Sequence, residues 1–442
     1  MQGPAAASNR QPTRTKYDPI GVTYAAGGGA MPTAMTREPR VYWLTEEFPP
    51  EFGGTGLVAA SLSTGLVARH FVVHVITRQI VPPAATDELY GTVRLRRIRP
   101  AGRMKGIGWR AFPLMVAYLA HLALILIRES RRYDVVIVSC MKIIPLAAIP
   151  ICLVLGKRCV IRLESPFEIA EPIAAESLSE MNDFLGRTLA RMLSKIQRQL
   201  LRRADRVVAI SKDIEQLLRD SGVSSKRIAG IPNAIDLGRF RPVSASERAH
   251  LREKLQMPPD EVVALYAGRL SRAKGVSMLV EEWPRILCAD TKVKLVLVGS
   301  GKGSWDDCEE YLAEFIRSHG LEDHVRLAGQ SDCVHEYMQA ADLFISPSEY
   351  EGFGLAVVEA LACGLPCVVT SVGIAPEIIV HGTNGFLFPP KNSQALMEAI
   401  GTAVARREDW SEISQRARDS VRRFDRSAIV EQYAALCREL CA

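Results

Sequence analysis

The 442-residue sequence contains no uninterrupted apolar run of 18 residues, the length at which a segment reads as a bilayer-crossing helix. Its longest apolar stretches are 114–127, broken by Tyr118 and His121, and 143–155, broken by two prolines; both predict buried helices. Ten cysteines are present, none in a disulfide or zinc spacing. Cys363/Cys367 and Cys437/Cys441 sit four apart, a step that on a helix puts both on one face, with no histidine cluster beside them, so small core residues are the better reading. Scattered thiols in a chain of this size suit a reducing, cytoplasmic compartment. Residues 1–36 are rich in Ala, Gly, Pro, Thr and Arg and lack the apolar core of a secretory signal. They predict a disordered tail, with a transit segment or an internal start at Met31 or Met35 as alternatives.

The chain as a whole has globular composition, with 48% hydrophobic and 24% charged residues. Its length predicts two domains of about 200 residues each. The net charge of +6 conceals an asymmetry: residues 1–240 carry 33 basic against 20 acidic side chains, and residues 241–442 carry 22 against 29. Such halves suggest different partners, the basic one an anionic surface or acceptor; nucleic acid is not expected. Short β-type runs at 41–45, 72–77, 93–98, 135–140, 159–163 and 207–210 alternate with stretches long enough for helices. After a proline-marked break at 232–242 the pattern restarts at 262–267, 294–298, 325–328, 343–346, 367–370 and 386–388, with helices expected at 277–287, 309–319 and 336–341. The expectation is an α/β protein of two Rossmann-like, doubly wound domains, residues 37–235 and 236–442, facing a central cleft. The C-terminal helices could pack back on the first domain.

Three segments carry chemistry. Gly268-Arg269-Leu270-Ser271-Arg272-Ala273-Lys274-Gly275 follows a strand and opens a helix. Arg269 offers a planar fork of donors and Lys274 a point charge, a combination suited to a diphosphate, although a solvated basic loop would read the same way. Residues 347–366, PSEYEGFGLAVVEALACGLP, place Glu351 before a helix and Glu359 within it, with Gly352 and Gly354 allowing close backbone approach. Paired carboxylates there could accept hydrogen bonds from a hexose and a ribose; the plainer alternative is that Glu351 complements the helix dipole, worth ~0.3–1 kcal/mol. Phe52-Gly53-Gly54-Thr55-Gly56 is a glycine-rich turn after the first strand, weak evidence alone because it lacks the dinucleotide spacing.

The Arg269/Lys274 cluster, the Glu351…Glu359 pair and their order resemble the family 4 retaining glycosyltransferases of GT-B fold, as do Ile231-Pro232-Asn233-Ala234-Ile235-Asp236, Val298-Gly299-Ser300-Gly301 and Asn384-Gly385-Phe386-Leu387. The likeness spans about residues 40–440 and is densest in the second half. It implies a hexosyltransferase using a UDP- or GDP-sugar, with Arg269 and Lys274 on the diphosphate, Glu351 on the transferred sugar and Glu359 on the ribose. Backbone at Phe353, Gly354 and Leu355 would meet sugar and phosphate, Gly53 and Gly54 would close from the first domain, and the base would lie near Gln330. No Asp-x-Asp pair occurs, and with two cations present no metal or cofactor is expected. The acceptor would be a carbohydrate, lipid-linked or a polysaccharide precursor; an epimerase or a non-catalytic nucleotide-sugar binder on the same fold are the alternatives. Many relatives carry a histidine after the fifth N-terminal strand; here Val160-Ile161-Arg162-Leu163-Glu164-Ser165-Pro166 has none. Arg162, Glu164 or Ser165 could replace it on the acceptor side, or Arg162 and Glu164 could form a structural ion pair.

Residues 187–203 place Arg187, Arg191, Lys195, Arg198 and Arg202 at helical steps, with Leu189, Met192, Leu193, Ile196 and Leu200 largely opposite. A helix packed on the sheet with a solvated basic face is the plain expectation. Docking on an anionic membrane is the sharper one.

Overall fold

A computed structural model describes residues 37–49, 54–78, 87–99, 112–139, 142–170, 184–289, 292–302, 304 and 306–442. Gly53 and the 1–36 tail lie outside the described residues. Residues 38–442 form one compact unit containing two sheets.

The first sheet uses β1 (Arg40–Thr45), β2 (Val72–Arg78), β3 (Asp87–Tyr90), β4 (Val93–Ile98), β5 (Val135–Ser139), β6 (Arg158–Arg162), β7 (Arg206–Ala209) and β8 (Ile228–Gly230), in the order β3-β4-β2-β1-β5-β6-β7-β8. All neighbours are parallel except β3 with β4. Strands so rich in Val and Ile are stable only when both faces are covered. Trp43 lies opposite Val75 and Ile137 in the core of one face, and Tyr42, Leu44 and Val138 belong to the core of the other. Sequence periodicity misses β3, whose DELY run is acidic and mostly exposed, and β8, which has three residues.

The second sheet uses β9 (Val262–Ala267), β10 (Val293–Val298), β11 (Val325–Gly329), β12 (Leu343–Ser346), β13 (Cys367–Thr370) and β14 (Phe386–Phe388), all parallel, in the order β11-β10-β9-β12-β13-β14. The strand order reverses between β9 and β12, which makes the crevice at their carboxyl ends the expected ligand site.

Omitting single turns, the helices are α1 (Gly54–Val67), α2 (Phe112–Arg128), α3 (Ile144–Leu155), α4 (Phe184–Leu201), α5 (Lys212–Asp220), α6 (Ala245–Lys254), α7 (Val276–Glu281), α8 (Trp283–Ala289), α9 (Glu309–Ser318), α10 (Val334–Ala340), α11 (Leu355–Ala362), α12 (Ser393–Ala405), α13 (Trp410–Val421) and α14 (Arg426–Cys441). The single helix expected at 277–287 is two, because Pro284 lies in the first turn of α8, where a missing N–H is tolerated.

The chain crosses between the sheets twice, and the crossings pair: Ile235 N donates to Phe424 O at 2.9 Å and Arg426 N to Ile235 O at 2.9 Å. The second crossing delivers α14 to the first sheet, where it lies on α1. A Cβ on Gly65 would come within 2.5 Å of Val430, and Arg69 pairs with Glu431 at 2.8 Å. Trp43 and Tyr433 rings approach to 5.9 Å across the same core.

Two expectations for the first half are corrected. The helices at 114–127 and 143–155 are not wholly buried: α2 turns Tyr118, Leu122 and Leu126 inward but leaves Leu114, Val116, Leu124 and Ile127 exposed, and α3 leaves Leu153 and Val154 exposed. In α4 the apolar residues do not simply face the sheet. Ser194, Gln197 and Leu201 are buried, whereas Met192 and Ile196 are exposed beside Arg191, Lys195 and Arg198. The helix is rotated because Ser194 and Gln197 take the inner positions, and the Gln197 amide donates to the Lys142 carbonyl at 3.4 Å. The Arg187 and Leu189 side chains lie outside the described residues.

Candidate active site

The carboxyl ends of β9 and β12 bring two sequence motifs together. After β9 the chain passes Gly268 and Arg269 into a tight turn ending at Gly275, whose φ of +67° suits glycine. A Cβ there would lie 2.0 Å from the Pro347 carbonyl oxygen, so the turn presses directly on the loop after β12. Glu349 N donates to Ala273 O at 3.0 Å and ties the two loops further. Lys274 Nζ thereby reaches Glu351 Oε1 at 2.8 Å, and the buried Ser348 hydroxyl donates to the same carboxylate oxygen at 2.9 Å. Arg269 is exposed at the strand end, and its guanidinium has no partner among the described residues. Its carbonyl accepts from the Tyr266 hydroxyl at 2.7 Å, and burial pushes that phenol well above its ordinary pKa.

Glu351 leads into Gly354, which caps α11 at φ 95° and ψ 54° without a side-chain cap. That left-handed geometry is strained for any other residue. The amides of Phe353, Gly354, Leu355 and Ala356 have no acceptor among the described residues. Together with the helix dipole they form a concentrated patch of donors for an anion. Gly373 permits the next loop to close against this one: a Cβ there would be 2.7 Å from Phe353 O and 2.8 Å from Glu351 Cβ. The Phe353 ring is buried edge-on against Phe424 at 5.7 Å, so the site's floor rests on the second crossing.

Glu359 is the fifth residue of α11, partly buried. Burial pushes its carboxyl up to about 7, partly opposed by the positive charge of Arg239, and it has no hydrogen-bond partner among the described residues. A carboxylate left without donors and already desolvated is suited to accept from a ligand's hydroxyls. Gln330 is exposed just past the carboxyl end of β11.

The first sheet meets this site through backbone. A Cβ on Gly352 would lie 1.9 Å from the Glu164 carbonyl oxygen, and one on Gly54 would lie 3.4 Å from Leu355 Cδ1. Arg162 is fully buried, ion-paired with Glu164 and hydrogen-bonded to Asn233 of the first crossing. The structure therefore displays the ion-pair arrangement for these two residues, linked to the crossing.

Four contributors escape a reading of the sequence. Ser348 had a signal, its place three residues before Glu351. Tyr266, Gly373 and Asp306 had none. Asp306 accepts from the Ala273 amide at 3.0 Å and from Ser304 at 2.5 Å. Although burial raises its pKa, these bonds hold the carboxyl below the usual carboxylate range, and so it pins the turn that carries Lys274.

Glycosyl transferases group 1 matches residues 247–420, and glycosyltransferase family 4 matches residues 52–239. D-inositol 3-phosphate glycosyltransferase of Geodermatophilus obscurus is 29% identical over 255 residues, 56% of this chain and 56% of that protein. N-acetyl-alpha-D-glucosaminyl L-malate synthase of Bacillus anthracis is 25% identical over 388 residues, 88% and 94% of the two chains. This chain thus spans about half the length of the first relative and nearly all of the second. Among solved structures, sucrose-phosphate synthase from Thermosynechococcus elongatus superimposes with TM-score 0.74 at 23% identity, over 91% of this chain and 99% of that one. Anabaena HepE in complex with UDP-glucose gives 0.69 at 22%, over 90% and 99%. The two facing sheets are those of the GT-B fold, and the chain belongs to family 4 of the glycosyltransferases, within glycosyl transferases group 1.

Proposed function

We propose that the protein transfers a sugar from a UDP- or GDP-sugar to a carbohydrate acceptor, lipid-linked or a polysaccharide precursor, with retention of configuration and without a metal. The observation that carries this reading is the 2.8 Å Lys274–Glu351 pair beside four unpartnered amides at the mouth of α11. Within this pair the ammonium neutralises the carboxylate. A bound donor supplies each with its own partner, phosphate oxygen for Lys274 and sugar hydroxyl for Glu351.

As the C1–oxygen bond to the diphosphate breaks, negative charge grows on the leaving group. Lys274, Arg269 and the amides of residues 353–356 are preorganised to stabilise it, and the sugar carbon becomes oxocarbenium-like. Glu359 takes the ribose hydroxyls. Arg162 and Glu164 pair with one another and act by fixing the Glu164 carbonyl against Gly352. The acceptor hydroxyl bonds to the face of C1 that the nucleotide leaves, and its proton departs on the diphosphate oxygen. A UDP-glucose complex of HepE favours a UDP-sugar donor.

The test is a donor panel with and without a carbohydrate or lipid extract, reading nucleoside diphosphate release and product anomeric configuration, in chelator and in added divalent metal. The reading expects acceptor-dependent release, one retained anomer, no loss in chelator, and loss of turnover in Glu351→Ala and Lys274→Ala. Release of free isomerised sugar, or binding without turnover, would overturn it.

A further inference from the structure

Helices α2, α3 and α4 lie side by side over one face of the first sheet, α3 packing against both neighbours. Of the fourteen large apolar side chains exposed among the described residues, eight lie on these three helices. Single exposed leucines are ordinary; a concentration of them marks an interaction surface. Leu124 and Ile127 project from α2, Leu153 and Val154 from α3, and Met192 and Ile196 from α4, with Val154 86% exposed. The three helices, of 17, 12 and 18 residues, contain no aspartate or glutamate, although acids make up about one residue in nine of the chain. Arg191, Lys195 and Arg198 are exposed along α4 and have no ion pair among the described residues. No helix of the described residues is long and apolar enough to cross a membrane.

We infer that this α2–α3–α4 face docks the protein on an anionic phospholipid bilayer. Apolar side chains and unpaired cations on three acid-free helices match the two parts of that partner, an acyl boundary and a layer of phosphates. Two copies of this chain pairing through the same face would instead set arginine against arginine with no acid on these helices to compensate. The three helices follow strands or long loops and return antiparallel to the sheet, so they start at its carboxyl edge, the edge that meets the Glu351 loop. Leu114 and Val116 lie at that end of α2, whereas Leu124, Ile127, Leu153 and Val154 lie at the far ends of α2 and α3, so docking along the face would lay the first domain lengthwise against the lipid. This deepens the proposal of a lipid-linked acceptor, yet its test requires no turnover.

The full chain is sedimented with vesicles of phosphatidylglycerol and phosphatidylcholine, and with phosphatidylcholine alone, across a salt series. The expected result is selective pelleting with the anionic vesicles that weakens steeply as salt shortens the screening length. Arg191→Glu/Lys195→Glu/Arg198→Glu should reduce it by about tenfold or more, and Ile127→Ser/Val154→Ser should reduce it at low salt. Both variants should retain the wild-type melting temperature. Lys274→Ala, inactive in the proposed reaction, should bind vesicles as the wild type does. Equal recovery in the supernatant with both vesicle types overturns the inference without any variant. Unchanged pelleting of the folded charge-reversed protein also overturns it, as does a dimer or a complex with an acidic protein that occupies this face in place of lipid.

Discussion

The two sheets share a doubly wound design, and both turn their carboxyl edges to the same crevice, but they furnish it by different means. The second sheet contributes charged side chains: Arg269 and Lys274 after β9, Glu351 and Glu359 after β12. The first contributes backbone: the Glu164 carbonyl under Gly352, and Gly54 beside Leu355. The contrast extends to their outer faces, since the first half carries the acid-free apolar and basic helices and the second half most of the chain's acid. In the proposed reading, one half recognises by charge at fixed spacing and the other by shape and surface.

The largest effect that could break this contrast is at Arg162. Removing one partner of a buried, hydrogen-bonded ion pair costs about 3–5 kcal/mol, so Arg162→Ala should lower unfolding stability by that much in a denaturant titration while the folded fraction keeps its nucleotide affinity. A stable variant with a raised acceptor KM would instead mean that the first sheet reads its ligand with this side chain. Next comes Gly352→Ala. The added methyl meets the Glu164 carbonyl oxygen at 1.9 Å, and a shift of about 1 Å at a reacting site can cost on the order of 100-fold in rate. Turnover should fall while free nucleoside diphosphate still binds.

Glu359 gives a smaller effect that depends on pH. Burial pushes its carboxyl from 4.5 up to about 7, so the folded protein holds this proton more tightly than the unfolded chain. Its contribution to stability is greatest below about 4.5 and falls as pH rises to about 7. Glu359→Gln should therefore match the wild type in melting temperature near pH 4 and exceed it by a few degrees at pH 8, with weaker nucleotide binding. A constant difference across that range would remove the claim that the side chain is desolvated. The smallest effect is expected at the surface pair Lys391–Glu349, 2.9 Å apart and largely solvent-exposed on the lysine side. Lys391→Ala should change stability by less than ~1 kcal/mol.

The same contrast explains what could be read from the sequence. Twelve of the fourteen strands among the described residues stand where the apolar runs indicate, because a buried parallel strand has few ways to be written. The Lys274–Glu351 meeting was foreseeable because each motif directly follows its strand, and the order reversal between β9 and β12 sets those strand ends side by side. The contacts of Gly373 and Asp306 could not be foreseen, since they depend on how loops distant in sequence close on one another. The outward faces of α2 and α4 were misread for a related reason: a helix of nearly continuous apolar residues carries little periodicity to orient it, and in α4 two polar residues, Ser194 and Gln197, hold the inner positions.

The central claim, that Lys274 grips the diphosphate while Glu351 grips the attached sugar, is tested most directly by calorimetric titration. Wild type, Lys274→Ala and Glu351→Ala would each be titrated with a nucleoside diphosphate and with the matching nucleotide-sugar. The account predicts that Lys274→Ala weakens both ligands. Glu351→Ala should leave the diphosphate bound at least as tightly, because Lys274 is freed from its ion pair, and lose only the increment due to the sugar. Equal losses for both ligands in Glu351→Ala, or no loss in Lys274→Ala, would contradict it.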